Sequence, residues 1–567
     1  MANGFGSLFI GKSGLQSSQN ALNTTANNLA NINTTGYVRE QVRFADKHYL
    51  TIKDPTLTVN MHQSGLGVSI GDVVHARDIF LDKAFRQETG RAAFYQSCYD
   101  ANSQVTDLFQ ELYGMEFKES LKDLYNSFAE MSKYPGDSTY QNLVMQKSQL
   151  FMSRCNGLYG GLKQLQTTLN DQMKTDIARV NEIGEQIYTL NQKISKIESC
   201  GVETAMTDRD IRDALIDELA TLVRVDVKED ANGVTLVDVE NSSFVTEDLF
   251  FKIDCIIDDG TGYVTPIWPE QSDLDRKVYT EVFRMNVDID TDANNDIGKI
   301  KADMIARGST LGRYTDLLPE NYREVQDCVV MESQAQLENL FHGLVTQIND
   351  CFAPNIIVEE DIEGDGWTIP AGAKILDVAN CVVGIDGKIP PRELFSRMGT
   401  ERYTELEVDG QTYYLYNEED PTDPNTMYII GNVEINKDLM KQITLMPAYA
   451  PNGAMDTVDY SVAEKLTHIW DDKTLLLNPN DPYPSTYTNY YDKIIGHLGT
   501  YGNTYYSAAE SLTETAASIE NQRSQLTGVS SDEELTKMIK YQAAYNAASR
   551  YITVVDQMTE LRVTGLK

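Results

Sequence analysis

Hydrophobic residues near the N-terminus recur at the interval of a coiled-coil helix. Leucines occupy every seventh position, and an isoleucine follows the last of them three residues later (Leu8, Leu15, Leu22, Leu29 and Ile32). The remaining positions are mostly Asn, Ser, Thr, Ala and Gly, and Lys12 is the only charged residue before residue 39. A narrow apolar stripe of this kind predicts a helix that packs against another helix.

The C-terminal segment has the same character. Ser530 and Ser531 precede Glu533 and Glu534 at the spacing of two overlapping capping boxes, which predicts a helix start. The apolar and aromatic positions that follow are three and four residues apart, and we interpret them as a packing stripe rather than a ligand site (Leu535, Met538, Tyr541, Tyr545, Ala548, Ile552 and Val555). We therefore expect the two termini to pair with each other.

The middle of the chain begins with helices. Residues 84–200 contain one proline, Pro135, in a turn-like stretch, and apolar spacing from residue 162 to residue 197 predicts one long helix. A stripe this long and narrow is typical of a rod of paired helices. Residues 209–222 (RDIRDALIDELATL) predict a short amphipathic helix with the ion pairs Asp208–Arg212 and Arg209–Asp213.

Two β-rich stretches interrupt the helical pattern. Alternating valines at 223–228 and the pair Asn232-Gly233 predict a hairpin within residues 222–295. Helical spacing returns at 298–350, a proline-rich acidic block with a second hairpin pattern at Asp409-Gly410 follows, and residues from 491 onward are again helical.

These patterns predict a multidomain α + β protein with discontinuous, coiled-coil-like helical domains formed by both chain termini and by the middle, and with inserted β-rich outer domains. The predicted domains are residues 1–60 paired with 525–567; 61–200 completed by 298–352 and 491–524; 201–297, which is β-rich; and 353–490, an acidic β-rich insertion.

Composition narrows the range of functions. A formal charge of −37 argues against nucleic acid as a partner, since phosphate binding needs clustered Lys and Arg. No apolar run is long enough for a membrane helix, so we expect no membrane association, and the N-terminus lacks a secretory pattern. Seven widely spaced cysteines predict isolated reduced thiols rather than disulfides or a zinc site.

Two short motifs suggest ligand chemistry. The stretch from Gly6 to Ser13 (GSLFIGKS) matches the phosphate-loop pattern of nucleotide-binding enzymes, but only five residues precede it, too few for the buried strand that such a loop needs. Residues 288–299 (DIDTDANNDIGK) resemble a calcium loop, yet Ala293 and Lys299 replace its required Gly and Glu. We predict no cofactor, no metal site and no catalytic residues, and keep a nucleotide-binding enzyme only as a distant alternative.

The N-terminal segment resembles a known family signature. Residues 14–44 contain a motif of the bacterial flagellar rod, hook and hook-associated proteins, matched at Asn28, Leu29, Ala30, Asn31, Asn33, Thr34, Thr35, Gly36 and Tyr37. Gly36 can adopt the left-handed backbone that follows a helix. Residues 528–558, 77–87, 169–194 and 209–220 are similar to the hook-associated branch, which joins the hook to the filament.

The resemblance implies a non-enzymatic structural subunit at the hook–filament junction; another axial subunit such as the hook protein is the nearer alternative. The implied partners are neighbouring copies in a ring, the hook protein, the next hook-associated junction protein, and an export chaperone at the C-terminal helix. The implied location is extracellular, in the flagellum, after type III export without a cleaved signal peptide. The expected assembly interface comprises Leu15, Leu22, Leu29, Ile32, Met538, Tyr541, Tyr545, Ile552 and Val555, on helices that we expect to be largely disordered before assembly.

Overall fold

The structure is a computed structural model that describes residues 3–34, 36–47, 49–53, 61–109, 117–199, 204–230, 233–285, 288–364, 367–408, 410–451 and 457–565. It confirms the predicted fold class: long helices from both termini and from the middle of the chain, with small β-sheets between them. None of the helices in these ranges combines the length and apolarity that a membrane span requires.

The two chain ends form one unit, which we call the terminal module. The N-terminal helix α1 packs antiparallel against the C-terminal helix α11, and two antiparallel strand pairs, β1 with β4 and β2 with β3, lie next in sequence. The elements are α1 (Asn3–Ala30), β1 (Glu40–Asp46), β2 (Leu50–Lys53), β3 (Met61–Ser64), β4 (Val68–His75) and α11 (Ser531–Thr564). The expected pairing of the termini is confirmed.

All other elements form the body of the molecule. Its helices are α2 (Ile79–Phe109), α3 (Phe117–Met131), α4 (Ser138–Glu198), α5 (Met206–Leu222), α6 (Lys299–Arg307), α7 (Val329–Phe352), α8 (Lys437–Lys441), α9 (Tyr460–His468) and α10 (Tyr487–Thr527). Short 3-10 helices occupy Pro269–Gln271, Tyr314–Leu317, Tyr322–Glu324, Pro424–Thr426 and Ile443–Leu445.

The strands of the body make several small antiparallel sheets. The first β-rich stretch holds a three-stranded sheet in the order β5-β6-β7 and the pair β8-β9; the second holds a four-stranded sheet in the order β10-β13-β16-β15 and the pairs β11-β12 and β14-β17. Their bounds are β5 (Val225–Glu229), β6 (Thr235–Val239), β7 (Ser242–Val245), β8 (Asp254–Ile257), β9 (Val264–Ile267), β10 (Asn355–Ile357), β11 (Ile362–Gly364), β12 (Trp367–Ile369), β13 (Lys374–Leu376), β14 (Phe395–Arg397), β15 (Tyr403–Val408), β16 (Gln411–Tyr416) and β17 (Val433–Ile435).

The helix α4 is the spine of the body. It begins at Ser138, where the Asp137 side chain accepts a hydrogen bond from the Thr139 backbone N–H, so it is much longer than the predicted helix at 162–197. Its first half lies in an apolar core with α2, α3, α7 and α10, and its second half lies in a separate core with α5, α6 and β6. The stripe was therefore correctly located, but it packs against helices and sheets instead of forming a simple rod.

Two details differ from the sequence predictions. The ion pairs within α5 are not formed, because partners on neighbouring elements lie closer: Asp208 binds Lys193 at 2.6 Å, and Arg209 binds Glu198 at 2.7 Å. The block 353–490 is not entirely separate from the helices, since some of its side chains, Phe395 among them, join the core of α4 and α7.

Candidate assembly interface at the paired termini

Small residues set the distance between α1 and α11. A Cβ atom placed on Gly11 would lie 2.7 Å from Ile552 Cγ1, and one on Gly14 would lie 3.7 Å from the Cβ atom of Ala548. Ser13 and Ser17 face strand β4, where the Ser17 hydroxyl reaches the Val68 carbonyl at 3.5 Å. Apart from the exposed Lys12 the N-terminal segment is uncharged, so it buries a face of small side chains without burying charge.

The predicted interface residues of α11 lie on its least exposed face. Val555 is buried, and the other four positions are half-buried (Met538, Tyr541, Tyr545 and Ile552). Tyr541 also makes an edge contact with Phe44 of β1, with ring centroids 6.1 Å apart. This face of α11 is turned towards α1.

The predicted interface residues of α1 are placed differently. Leu15, Leu22 and Leu29 are half-buried, and Ile32, beyond the helix, is 38% exposed. At 3.6 residues per turn the leucine stripe lies about a quarter of a turn from the small-residue face that meets α11. These leucines flank the contact, and their role in assembly stays a prediction.

A second apolar stripe on α11 points away from α1. Its members are between 43% and 73% exposed, and nothing in the described part of the chain covers them (Leu535, Ile539, Val554, Met558 and Leu561). On α1, Leu8, Phe9 and Ile10 are also exposed. Apolar stripes of this extent are typical of surfaces that bind other proteins.

The family-motif residue Asn28 is the centre of a buried polar network. Its Nδ2 donates to the Glu40 carbonyl at 2.9 Å and to Glu534 Oε2 at 3.1 Å. Its Oδ1 accepts from the Tyr37 hydroxyl at 2.8 Å and from the Glu40 N–H at 3.0 Å. Every donor and acceptor of this amide is therefore used, although the side chain is almost fully buried.

Arg39 extends the network across the C-terminal helix. Its Nε lies 3.1 Å from Glu534 Oε1, and its Nη2 lies 2.8 Å from Glu533 Oε2. Burial raises the pKa of the Tyr37 hydroxyl well above its usual value, so this group donates as a neutral phenol. We call Asn28, Tyr37, Arg39, Glu40 and Glu534 the junction clasp.

The other motif residues shape the turn that follows α1. The Asn31 side chain donates to the Asn27 carbonyl at 3.0 Å, and the Thr34 hydroxyl donates to Asn31 Oδ1 at 3.2 Å. Gly36 has a φ of +79°, as expected, but it lies six residues beyond the helix end. Thr35 lies outside the described residues.

The two ligand-like motifs have structural roles. The residues from Gly6 to Ser13 lie inside the continuous helix α1, so their N–H groups cannot wrap a phosphate. In the acidic loop at 288–299, the Arg91 guanidinium binds the Thr291 carbonyl at 2.7 Å, Asn294 Oδ1 at 2.7 Å and Asp296 Oδ1 at 3.2 Å. No group of acidic, His and Cys side chains in the described ranges has the arrangement of a metal site.

Sequence reasoning missed the charged members of the clasp. Glu534 was assigned only to a capping box, and the structure shows that Ser530 caps α11 by accepting from the Glu533 N–H at 3.5 Å. Arg39 is the second charged residue of the chain, and its position two residues after the motif was the available clue. Neither pairing could be inferred, because the partners are almost five hundred residues apart.

Comparisons with known proteins agree with this architecture. Residues 102–361 match the model of the "Flagellar hook-associated protein FlgK helical domain". Residues 8–37 match "Flagella basal body rod protein", and residues 520–561 match "Flagellar basal body rod FlgEFG protein C-terminal". Together these models cover more than half of the chain.

Individual relatives are similar over different lengths. The "Flagellar hook-associated protein 1" of Bacillus subtilis is 23% identical over 100% of this chain and 99% of its own length. The protein of the same name from Salmonella typhimurium is 26% identical over 40% of this chain and 41% of its own length. The fold is similar to the solved flagellar hook junction protein FlgK from Burkholderia pseudomallei, with a TM-score of 0.52 and 13% identity over 80% of this chain and 100% of that one. The chain belongs to the FlgK family of flagellar hook-associated proteins.

Proposed function

We propose that the chain is a structural subunit that joins the flagellar hook to the filament and assembles through its paired terminal helices. The observation that carries this proposal is the pair α1–α11, which is bound on one face and apolar and exposed on the other. A protein that stayed a monomer would gain nothing from this exposed apolar stripe, because such stripes are typical of surfaces that bind other proteins. Membership of the FlgK family supplies the flagellar context.

The family match in the middle of the chain favours a position at the hook–filament junction over other axial positions in the flagellum. Rod-type matches at both ends are shared with other axial proteins, but the helical-domain match at 102–361 carries the hook-associated description. The hook protein is therefore the less favoured alternative. A phosphate-binding enzyme has no support, because its motif lies within a helix.

Association with other flagellar components follows from the family, and the specific partners are part of the proposal. Neighbouring copies in a ring would cover the exposed stripe of α11, and the hook protein and the next junction protein would contact the two ends of that ring. An export chaperone would bind the C-terminal helix, whose stripe from Leu535 to Leu561 needs cover before assembly. Export without a cleaved signal and an extracellular location belong to the same proposal.

The expected interface residues and the domain division stay within the proposal. Met538, Tyr541, Tyr545, Ile552 and Val555 would hold α11 on α1, while Leu15, Leu22, Leu29 and Ile32 would contact a neighbour. The terminal module would form the axial layer, the helices of the middle the next layer, and 201–297 and 353–490 the outer surface.

Binding to isolated hooks tests this function. The purified chain, fluorescently labelled, is mixed with hooks that carry no junction proteins, and electron microscopy locates the bound label. We expect label at the distal hook end, loss of binding when residues 525–567 are removed, and no binding to filaments alone. Label spread along the hook wall, or equal binding by the truncated chain, would contradict the proposal.

A further inference from the structure

Three connecting segments of the chain lie where the terminal module meets the body, and the chain crosses from one part to the other at two of them. We call these segments the passages: residues 37–39, which precede β1 within the module, residues 75–77 after β4, and residues 527–530 between α10 and α11. No residue of the terminal module belongs to any apolar core cluster of the described residues. The direction of the module therefore depends on polar contacts at these passages, and such contacts are directional.

One carboxylate of α5 contacts the first two passages. Asp210 Oδ2 accepts from the Val38 N–H at 3.3 Å, and Asp210 Oδ1 lies 3.5 Å from His75 Nε2. The His75 and Asp210 side chains are only 8% and 11% exposed. Burial lowers the pKa of His75 to about 4, so its ring is neutral at neutral pH. Asp210 thus binds the segment before β1 and lies next to the last residue of β4, at the end of the strand pair that faces α5.

Arg39 connects the first passage to the other two. Its N–H donates to the Thr527 carbonyl at 2.9 Å, at the last residue of α10. Its carbonyl accepts from the Ala76 N–H at 3.0 Å, and its guanidinium binds Glu533 and Glu534 at the start of α11. All three passages therefore meet at Arg39.

The face of α5 that carries Asp210 is anchored within the body. Asp213 and Asp217 follow Asp210 at helical spacing on the same face, and Asp213 binds Arg77 of the second passage. Asp217 binds Arg86 of α2 at 2.6 Å and Arg523 of α10 at 2.8 Å. This acidic face therefore links the second passage to α2 and α10 within the body.

We infer that Asp210 and Arg39 are positioning residues that fix the direction of the terminal helix pair relative to the body in the assembled subunit. A ring of identical subunits needs one direction in every copy. Without these contacts both parts stay folded, but the helix pair points in a range of directions. The consequence for assembly rests on the proposed function, whereas the contacts themselves do not.

Pulsed EPR distances test the inference on the full chain. Because the chain has native cysteines, spin labels are attached through unnatural amino acids at Gln557 on α11 and Lys163 on α4, both exposed. Labelled chain is diluted into excess unlabelled wild type and bound to isolated hooks. We expect a narrow distance distribution for wild type and a broader, shifted one for Asp210→Ala and for Arg39→Ala.

Two further variants separate positioning from stability. Asp210→Asn keeps an oxygen that accepts from Val38 and should restore the narrow distribution. Arg179→Ala breaks the Arg179–Glu218 pair between α4 and α5, away from the passages, and should leave it unchanged. The melting temperature of the body should be the same in all variants.

The outcomes distinguish the inference from the proposed function. Distributions for Asp210→Ala and Arg39→Ala as narrow as wild type would overturn the inference. Exclusion of Asp210→Ala from hooks with normal incorporation of Asp210→Asn would support it, and exclusion of both would overturn it. Failure of the wild-type chain itself to bind hooks would contradict the proposed function instead.

Discussion

At the scale of single residues, the junction clasp shows that a family motif can be recognised in a sequence although the structural role of its residues cannot. Asn28 lies within a pattern of Asn, Thr and Gly residues that predicts a turn after a helix, and Asn31 and Thr34 do make that turn. The role of Asn28 depends on Glu534, at the other end of the chain. Local sequence rules describe hydrogen bonds a few residues apart, so they cannot reveal such a partner.

Asn28→Asp tests the clasp with little change in shape. The variant loses both side-chain donors and places a carboxylate beside Glu534. Each lost buried hydrogen bond costs about 1 kcal/mol or more, and like charges add to this. We expect binding to isolated hooks to weaken by about tenfold or more, measured by co-sedimentation.

The neighbouring residue provides the control for this variant. Asn27 is exposed, and its amide reaches Tyr37 and Glu40 only at 3.3 Å, so Asn27→Asp should bind hooks almost as wild type does. An equal loss of hook binding in Asn28→Asp and Asn27→Asp would show that the effect is not specific to the buried amide of Asn28.

A second prediction at the scale of single residues concerns the acidic loop at 288–299. Arg91 neutralises Asp296, whose side chain is fully buried, and removing one partner of a buried pair typically costs about 3–5 kcal/mol. Arg91→Ala should therefore lower the free energy of unfolding strongly in urea titrations, whereas Lys133→Ala at an exposed pair should not change it.

Calcium provides an independent readout for the same loop. Because the Arg91 guanidinium occupies the position between the loop oxygens, millimolar calcium should leave the melting temperature of the wild-type chain unchanged. A clear increase in the melting temperature with calcium would contradict the interpretation that the Arg91 guanidinium occupies this loop.

At the scale of elements, the sequence predicts that the helices α1 and α11 pack together, but it does not predict which of their faces meet. Heptad leucines and the capping pattern at Ser530 correctly indicated two helices that pack. They did not indicate which face of α1 meets α11, because hydrophobic periodicity gives no weight to glycine and serine. Gly11 and Gly14 form the close contact, and only the position of Ile552 opposite them makes this apparent.

Glycine substitutions on α1 test the closeness of this contact. Gly11→Ala places a methyl group 2.7 Å from Ile552 Cγ1 and 3.0 Å from Tyr551 Cδ1, so these side chains or the helices themselves must shift. Gly14→Ala makes an ordinary contact, and Gly6→Ala meets nothing within 4 Å. Alanine favours a helix over glycine by about 1 kcal/mol, so only Gly11→Ala should weaken hook binding. A loss of hook binding in all three variants would contradict this explanation.

At the scale of the whole molecule, the order of helical and β-rich segments followed from composition and periodicity. The extent of α4 did not, because the buried stripe of its first half includes the polar residues Gln141 and Ser148, which interrupt the hydrophobic pattern. The shared core between α4 and the block 353–490 was also hidden, since sequence patterns give element types but not which elements pack together.

Buried acids give the body a pH dependence. Burial raises the pKa of Glu338 to about 8, that of Glu332 to about 7 and that of Asp303 to about 6. The folded chain therefore keeps protons that the unfolded chain has released, so stability is greatest below about pH 4.5 for these groups and falls as pH rises towards 8. Urea titrations at pH 6 and pH 8.5 should show this decrease.

The variant Glu338→Gln isolates the largest of these contributions. It removes the titration of Glu338, so the loss of stability between pH 6 and pH 8.5 should be smaller than in wild type. The exposed Glu359→Gln should behave as wild type does. An unchanged pH dependence in Glu338→Gln would show that this carboxyl is already ionised at pH 6.

The last prediction concerns the relative stability of the module and the body. In the described part of the terminal module, the buried apolar residues are Ala21, Val38 and Val555, whereas the body has two extended apolar cores. Segments with few buried apolar contacts open at low free-energy cost. A protease of broad specificity should therefore cut the free chain first within residues 1–40 and beyond residue 525, leave the centre intact, and do so equally with Mg-ATP; bound hooks should protect both ends. Protection of residues 1–40 in the free chain, increased by ATP, would contradict the open-end expectation and support the phosphate-loop alternative.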